Sequence, residues 1–242
     1  MDDVITAAQM REIERKAIHS GVASGLELME RAGQGVVEAI LDQWPELAAY
    51  SGTSSHHSDQ TPRAMVLCGP GNNGGDGYVI ARLLHALGWT VEVLALGDPS
   101  RLPDDAAQNY KRWCKIGSVV PLTLHALTRG SDADIFIDAV LGIGLSRPVT
   151  GDLGDVLRHL AGYGGAGYGG DRDFYQPRLV AVDVPSGLDA DTGMIPGKGA
   201  LEGAPACPFC ALTVTFHKRK IGHVSGDGPT HCGHIIVADI GL

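Results

Sequence analysis

Basic residues are scarce in this chain of 242 residues: 19 Lys and Arg face 28 Asp and Glu, for a formal net charge of −9. Sequence-independent binding to nucleic acid requires a basic face that neutralises phosphates, so that class is excluded. Long apolar runs are also missing, which excludes a helical membrane span. The first residues, Met1-Asp2-Asp3, are acidic and unlike a secretory or mitochondrial leader, so the expected location is the cytoplasm. Cysteine is sparse and odd in number, at five, which favours reduced thiols over a disulfide framework. There is no Gly-Lys-Ser/Thr run, which removes a P-loop nucleotidase, and no Gly-x-Ser-x-Gly elbow, which leaves Ser186 unconvincing as a hydrolase nucleophile. The histidines offer no evident triad. Aromatic residues make up only 5%.

Glycine, in contrast, is abundant at 34, with a hydrophobic share of 44%. This composition belongs to a foldable, loop-rich α/β protein, and the length suits one domain over residues 1–242. The stretch on which the rest depends is Ala64–Leu87. Ala64–Cys68 reads as a buried strand, and Tyr78–Leu87 reads as a helix with Val79, Ile80, Leu83, Leu84 and Leu87 on one face. Between them, Gly69, Gly71 and Gly74 spell a literal G-x-G-x-x-G, which is weak on its own. More informative is Asn72-Asn73-Gly74-Gly75-Asp76-Gly77, because a turn needs neither two carboxamides nor a carboxylate. A strand, a glycine turn and a helix start favour an anion such as phosphate. Asp76 reads equally well as a helix cap.

Taken in order, the chain predicts helices over 5–20 and 26–44, with Thr6 as a cap and Met10, Ile13 and Ala17 on the buried face. A polar link, Tyr50–Arg63, follows and carries His56 and His57. Strand and helix then alternate: Thr90–Leu96, Asp104–Lys115, a short strand at Ser118–Leu122, Asp134–Val140, a helix at Asp152–Leu160, Leu179–Val184, Leu212–Phe216 and Ile235–Ile240. Gly162–Gly170 reads as a mobile surface insertion. The expected fold is α/β, a three-layer αβα sandwich around a Rossmann-like, mostly parallel sheet. In such sheets ligands bind beyond the carboxyl ends of the strands, where strand order reverses. Both glycine-rich loops, Asp138, Asp183 and Ser186 fall there.

Two carboxylates at the ends of buried strands need a proton or a compensating charge. Within their segments only Arg147 is basic, so a hard cation held by oxygen atoms of Asp138, Asn73 and Ser186 is one solution, leaving Asp183 for proton transfer. A capping or loop-ordering role is the alternative for each aspartate. Cys207-Pro208-Phe209-Cys210, with His231, Cys232 and His234, can be drawn as a zinc site. The absence of a second C-x-x-C favours incidental thiols. His223 reads as a turn cap or a ligand contact.

Gly69-Pro70-Gly71-Asn72-Asn73-Gly74-Gly75-Asp76-Gly77, Asp138–Leu145, Val182-Asp183-Val184-Pro185-Ser186-Gly187 and Thr213–Phe216 together resemble the YjeF amino-terminal family, the NAD(P)H-hydrate epimerases. Leu28–Gly33, Lys220-x-Gly222-His223 and Asp239-Ile240-Gly241 fit as well. The resemblance implies interconversion of the R and S forms of hydrated NADH and NADPH at C6 of the nicotinamide ring. It implies potassium at Asn73, Asp138 and Ser186. It also implies substrate contacts from Asn72, Asn73, Gly74, Gly75, Asp76, Gly142, Ile143, Gly144, Leu145, Ser146, Arg147 and Pro148, with Asp183 both contacting the ring and acting as catalytic acid/base. A homodimer and a separate dehydratase acting on the S form are implied partners. Where many relatives carry Phe-Gly-Thr-Gly, this chain has Leu141-Gly142-Ile143-Gly144 and loses a hydroxyl. Two other readings stand beside it: a non-catalytic dinucleotide-binding or scaffold module, and an NAD-dependent dehydrogenase with Glu92 on the ribose.

Overall fold

The computed structural model describes residues 4–48, 61–129, 132–145, 147–164, 178–199 and 206–242. Seven strands form a sheet in the order β4-β3-β2-β5-β6-β7-β9, and every neighbouring pair is parallel. They are β2 (Arg63–Cys68), β3 (Thr90–Ala95), β4 (Val119–Pro121), β5 (Ile135–Ala139), β6 (Arg178–Val182), β7 (Leu212–Phe216) and β9 (His234–Ala238). A second, two-stranded parallel pair joins β1 (Val4–Ile5) to β8 (Arg219–Lys220). Register is set through the centre: Val66 of β2 lies opposite Val93 of β3 and Ile137 of β5, and Ile137 opposite Val180 of β6. Chain order runs outward in opposite directions from β2, so the reversal falls between β2 and β5.

Period-two alternation divides the strand side chains between two faces. Val66, Cys68, Ile135 and Ile137 pack against α2 (Gly25–Gln43) and α3 (Asn72–Ala86) through Val36, Ile40, Ile80 and Leu84. Met65, Leu67, Phe136 and Leu179 pack against α5 (Leu124–Arg129) and α6 (Gly151–Gly164) through Leu127, Val156, Leu157 and Leu160. Three layers result, as the sequence pattern predicts.

Two helix starts matter for the site. α1 (Ala7–His19) opens on Thr6, whose hydroxyl accepts from Gln9 N–H while the Gln9 side chain accepts from Thr6 N–H, a complete capping box. Met10 is buried and Ile13 packs partly against the core. α3 begins at Asn72, six residues earlier than the apolar spacing predicts. Its first two turns carry Gly74, Gly75 and Gly77, each costing a helix about 1 kcal/mol relative to Ala. The cost is accepted because the helix must approach its own strand closely: a Cβ on Gly74 would stand 2.0 Å from the Gly69 carbonyl oxygen. Gly71 occupies the N-cap position and no side chain caps this helix. Asp76 therefore lies inside α3, and the capping role expected for it does not hold.

The Tyr50–Arg63 link and the Gly162–Gly170 insertion lie largely outside the described residues. No helix among the described residues is long and apolar enough to cross a membrane.

Candidate active site

Where strand order reverses, the ends of β2 and β5 touch: a Cβ on Gly69 would fall 1.8 Å from the Val140 carbonyl oxygen. Above this contact opens a crevice of about 540 Å³, walled by α1, α2, the start of α3, the loop after β5 and the segment after β6. Asn72, Asn73, Asp76, Gly142, Ile143, Gly144, Leu145 and Asp183 all line it. Gly74 and Gly75 do not; they are buried, Gly75 against Met29, and act by letting α3 dock. Arg147 and Pro148 are not among the lining residues, and Ser146 lies outside the described residues.

Asp138, the penultimate residue of β5, is fully buried. Its Oδ2 accepts from Ser186 N–H at 2.8 Å, and its Oδ1 from the Ser186 hydroxyl at 2.6 Å and Val140 N–H at 3.3 Å. Ser186 Oγ in turn accepts from Leu141 N–H at 2.8 Å. These bonds tie the ends of β5 and β6 together, and all the donors are neutral. Burial outweighs them and pushes the Asp138 carboxyl above its ordinary value. Nearby, Asn73 stands against Gly142, and its buried Nδ2 finds no partner among the described residues. Turned over, the same amide offers an oxygen, since its orientation is assigned from its partners. One carboxylate, one hydroxyl and one carboxamide form a hard oxygen set of single charge, which fits a monovalent cation.

Asp183 follows β6 and shares the burial but not the company. Its Oδ1 accepts from Lys220 Nζ at 2.6 Å and from the Thr215 hydroxyl at 2.9 Å. Lys220 is wholly buried and spends its other protons on Thr215 Oγ1 and the Phe216 carbonyl. Oδ2 receives no hydrogen bond from the described residues and is left toward the crevice. Burial alone would raise this carboxyl, but Lys220 outweighs it and holds the group below the usual carboxylate range. The backbone is unusual too: Asp183 has φ 66°, a left-handed conformation that costs a non-glycine residue about 1–3 kcal/mol. Two bonds hold it there. Asp183 N–H donates to Val214 O at 2.8 Å, and its carbonyl accepts from His223 Nε2 at 2.9 Å. The His223 tautomer follows from its other nitrogen, Nδ1, which accepts Lys220 N–H at 3.0 Å. Burial lowers the His223 pKa to about 4, so the neutral form prevails. His223 caps the turn at Lys220, as one of its two sequence readings has it, and with its other nitrogen it fixes Asp183; it does not line the crevice.

Lys220, Thr215 and the lining residues of α1 had no assigned role from sequence. Within the segments of the two carboxylates the sequence shows no basic residue but Arg147; the counter-charge of Asp183 comes from elsewhere in the chain, from Lys220. In the sequence Lys220 closes the basic run Lys218-Arg219-Lys220, two residues before a glycine and three before a histidine, and nothing in that run singles it out. Asp76 is buried, and burial with the nearby charges of Asp183 and Glu14 pushes its carboxyl well up. Glu92 lies exposed in mid-strand opposite Met65, away from the carboxyl end of β3, so the dehydrogenase alternative lacks its ribose ligand. Cys207, Cys210 and Cys232 are buried free thiols raised by burial, and His231 Nδ1 binds the Pro208 carbonyl. Among the described residues no group of three or more His, Cys, Asp or Glu could hold a metal.

A parallel sheet with a glycine-rich strand–helix turn, and acidic groups gathered at its switch point, defines a Rossmann-like α/β protein with a nucleotide-sized crevice. Comparison with known proteins narrows this class. Residues 25–222 match the family described as YjeF-related protein N-terminus, and the chain belongs to that family. It is 45% identical over 223 residues to the NAD(P)H-hydrate epimerase of Rhodobacter capsulatus, covering 92% of each chain, and 42% identical to that of Roseobacter litoralis over the full length of both. A Bifunctional NAD(P)H-hydrate repair enzyme Nnr of Pyrobaculum aerophilum is 37% identical, with 98% of this chain matching 42% of that one. The crystal structure of yeast ynu0, YNL200c, superimposes with a TM-score of 0.67 at 21% identity, covering 92% of this chain and 83% of the yeast chain, and supports the fold.

Proposed function

We propose that this chain is an NAD(P)H-hydrate epimerase, an isomerase that interconverts the R and S forms of hydrated NADH and NADPH at C6 of the nicotinamide ring. The observation that carries the chemistry is Asp183: a carboxylate kept ionised by a buried lysine, with one oxygen left toward the crevice at the topological switch point. A carboxylate so placed can accept and return a proton at the hydrated ring. The dinucleotide lies along the start of α3 and the Gly142–Leu145 loop. With a net charge of −9, backbone N–H groups rather than basic side chains carry much of the phosphate recognition. Asn72, Asn73 and Asp76 add side-chain hydrogen bonds.

Potassium is the proposed cofactor, and Asn73, Asp138 and Ser186 would hold it. When bound, it supplies one positive charge to a buried carboxylate that the protein otherwise meets only with neutral donors. Ser186 and Leu141 fix the loop that borders the ligand, and Gly142 leaves room for Asn73 to reach the same floor. The Pyrobaculum aerophilum relative is a bifunctional NAD(P)H-hydrate repair enzyme of which this chain matches 42%, which supports coupling to a dehydratase. The family resemblance, rather than a surface feature, extends the proposal to a cytoplasmic homodimer.

The test starts from purified R-hydrate, adds a dehydratase specific for the S form, and follows recovery of NADH absorbance. Recovery that depends on this protein is the expected result. A rate no faster than spontaneous epimerisation, with potassium present, would return the chain to the non-catalytic dinucleotide-binding reading.

A further inference from the structure

One carboxyl in the crevice has no part in the mechanism so far. Glu14 lies on α1, which is clamped onto the site at several points. β1 sets Ile5 beside Lys220, Ala7 N–H donates to Asp191 Oδ1 at 2.6 Å, and Arg11 Nη2 donates to the Ile143 carbonyl at 2.8 Å. Arg11, Glu14 and Ile18 follow a helical i, i+3, i+7 spacing and all line the crevice. The other charged groups of the helix, Glu12, Arg15 and Lys16, pair among themselves in solvent. Glu14 has no hydrogen-bond or ion-pair partner among the described residues. A half-buried carboxyl on a firmly seated helix, aimed at a cavity and unpaired, is not a solvated surface charge.

We infer that Glu14 is the general acid of the epimerisation, paired with Asp183 as its base, the two reaching C6 of the hydrated ring from different walls of the crevice. The inference rests on the epimerase reading. The step balances as follows. The Glu14 carboxyl gives its proton to the C6 hydroxyl. The C6–O bond breaks with its electron pair leaving on water, while the N1 lone pair forms an N1=C6 double bond. A water molecule adds to the opposite face of C6, the electron pair returns to N1, and Asp183 takes the proton of that water. Water leaves and water enters, and one proton passes from Glu14 to Asp183; the reverse direction restores both.

Environment separates the two groups in the sense this division of labour needs. Three charges face Glu14: Asp183 after β6 is negative, and Lys220 of β8 and Arg11 of its own helix are positive, while the neighbouring Asp76 on α3 has its own carboxyl pushed well up by burial. Burial is the largest influence, and with Asp183 it outweighs the two cations, so Glu14 titrates above an ordinary glutamate. Asp183 is displaced the other way. Asp76 is the rival acid, but it is held within the second turn of α3, with burial as the largest influence on its carboxyl. Glu14, at the mouth, can exchange its proton with solvent in every turnover.

Glu14→Gln and Glu14→Asp test this in the dehydratase-coupled assay, each measured across pH beside the wild type. In Glu14→Gln, kcat falls by about a hundredfold with KM changed by less than about threefold, as loss of a general acid requires. The basic limb of the pH–rate profile disappears, while the acidic limb set by Asp183 stays. Glu14→Asp regains at least about tenfold over Gln and restores the basic limb, which a merely structural role would not do. Glu14→Gln at wild-type kcat, an unchanged basic limb, a loss confined to KM, or a Glu14→Asp as inactive as Gln would each overturn the inference. A wild type without activity would instead overturn the epimerase reading, so the two failures are distinct.

Discussion

Asp138 and Asp183 leave adjacent strands at the same rim, both buried, and the chain treats them in opposite ways. Asp138 is surrounded by neutral donors, and burial pushes its carboxyl up. Asp183 meets an ammonium at 2.6 Å, which holds its carboxyl down despite the same burial. Similar burial with unequal counter-charge separates the two: Asp138 meets only neutral donors of the chain and is where we propose a cation, whereas Asp183 has its counter-charge within the chain and lines the crevice. A buried charge costs several kcal/mol unless compensated, so the location of the compensation indicates what the group is for.

The contrast can be broken from either side. The largest effect is expected for Asp183→Asn, which removes the proton acceptor; kcat should fall about a thousandfold with little change in KM. Lys220→Met comes next. Without the ammonium, the Asp183 pKa rises, so the acidic limb of the pH–rate profile moves to higher pH and activity at neutral pH falls by about a hundredfold. Breaking the buried pair should also cost about 3–5 kcal/mol of stability in denaturant unfolding. Asp138→Asn is predicted to act more mildly and differently. Activity drops by about tenfold, and the difference between potassium and choline buffers vanishes. The smallest effect belongs to His223. Its folded pKa, about 4, lies below the ordinary 6.5, so its contribution to stability is complete above 6.5 and is lost as pH falls through about 4. Melting curves across that window should show a steeper acid decline in the wild type than in His223→Gln.

Much of this was legible in the letters, for identifiable reasons. Short runs such as Ile135–Ala139 and Leu212–Phe216, buried on both faces, marked the strands, and their alternation with helices implied a parallel sheet whose carboxyl ends gather the loops. Asn73, Asp138, Asp183 and Ser186 could be placed at one rim because each follows its strand within a few residues. The start of α3 was not legible: three glycines in two turns read as loop, and only the close approach of Gly74 to Gly69 explains why they are helical. Lys220 was hidden because its partner lies 37 residues away, in the segment after β6. Glu14 was hidden because its spacing within α1 fits an ordinary amphipathic helix; only the fold shows that this face of α1 looks into the crevice.

The most direct test is to watch epimer interconversion itself, by proton NMR of the C6 centre in R-hydrate, with wild type, Asp183→Asn and Asp138→Asn compared in potassium and choline. The account predicts fast conversion by wild type in potassium, none above background by Asp183→Asn in either salt, and slow, salt-indifferent conversion by Asp138→Asn. Full activity in Asp183→Asn, or a potassium response surviving in Asp138→Asn, would contradict it.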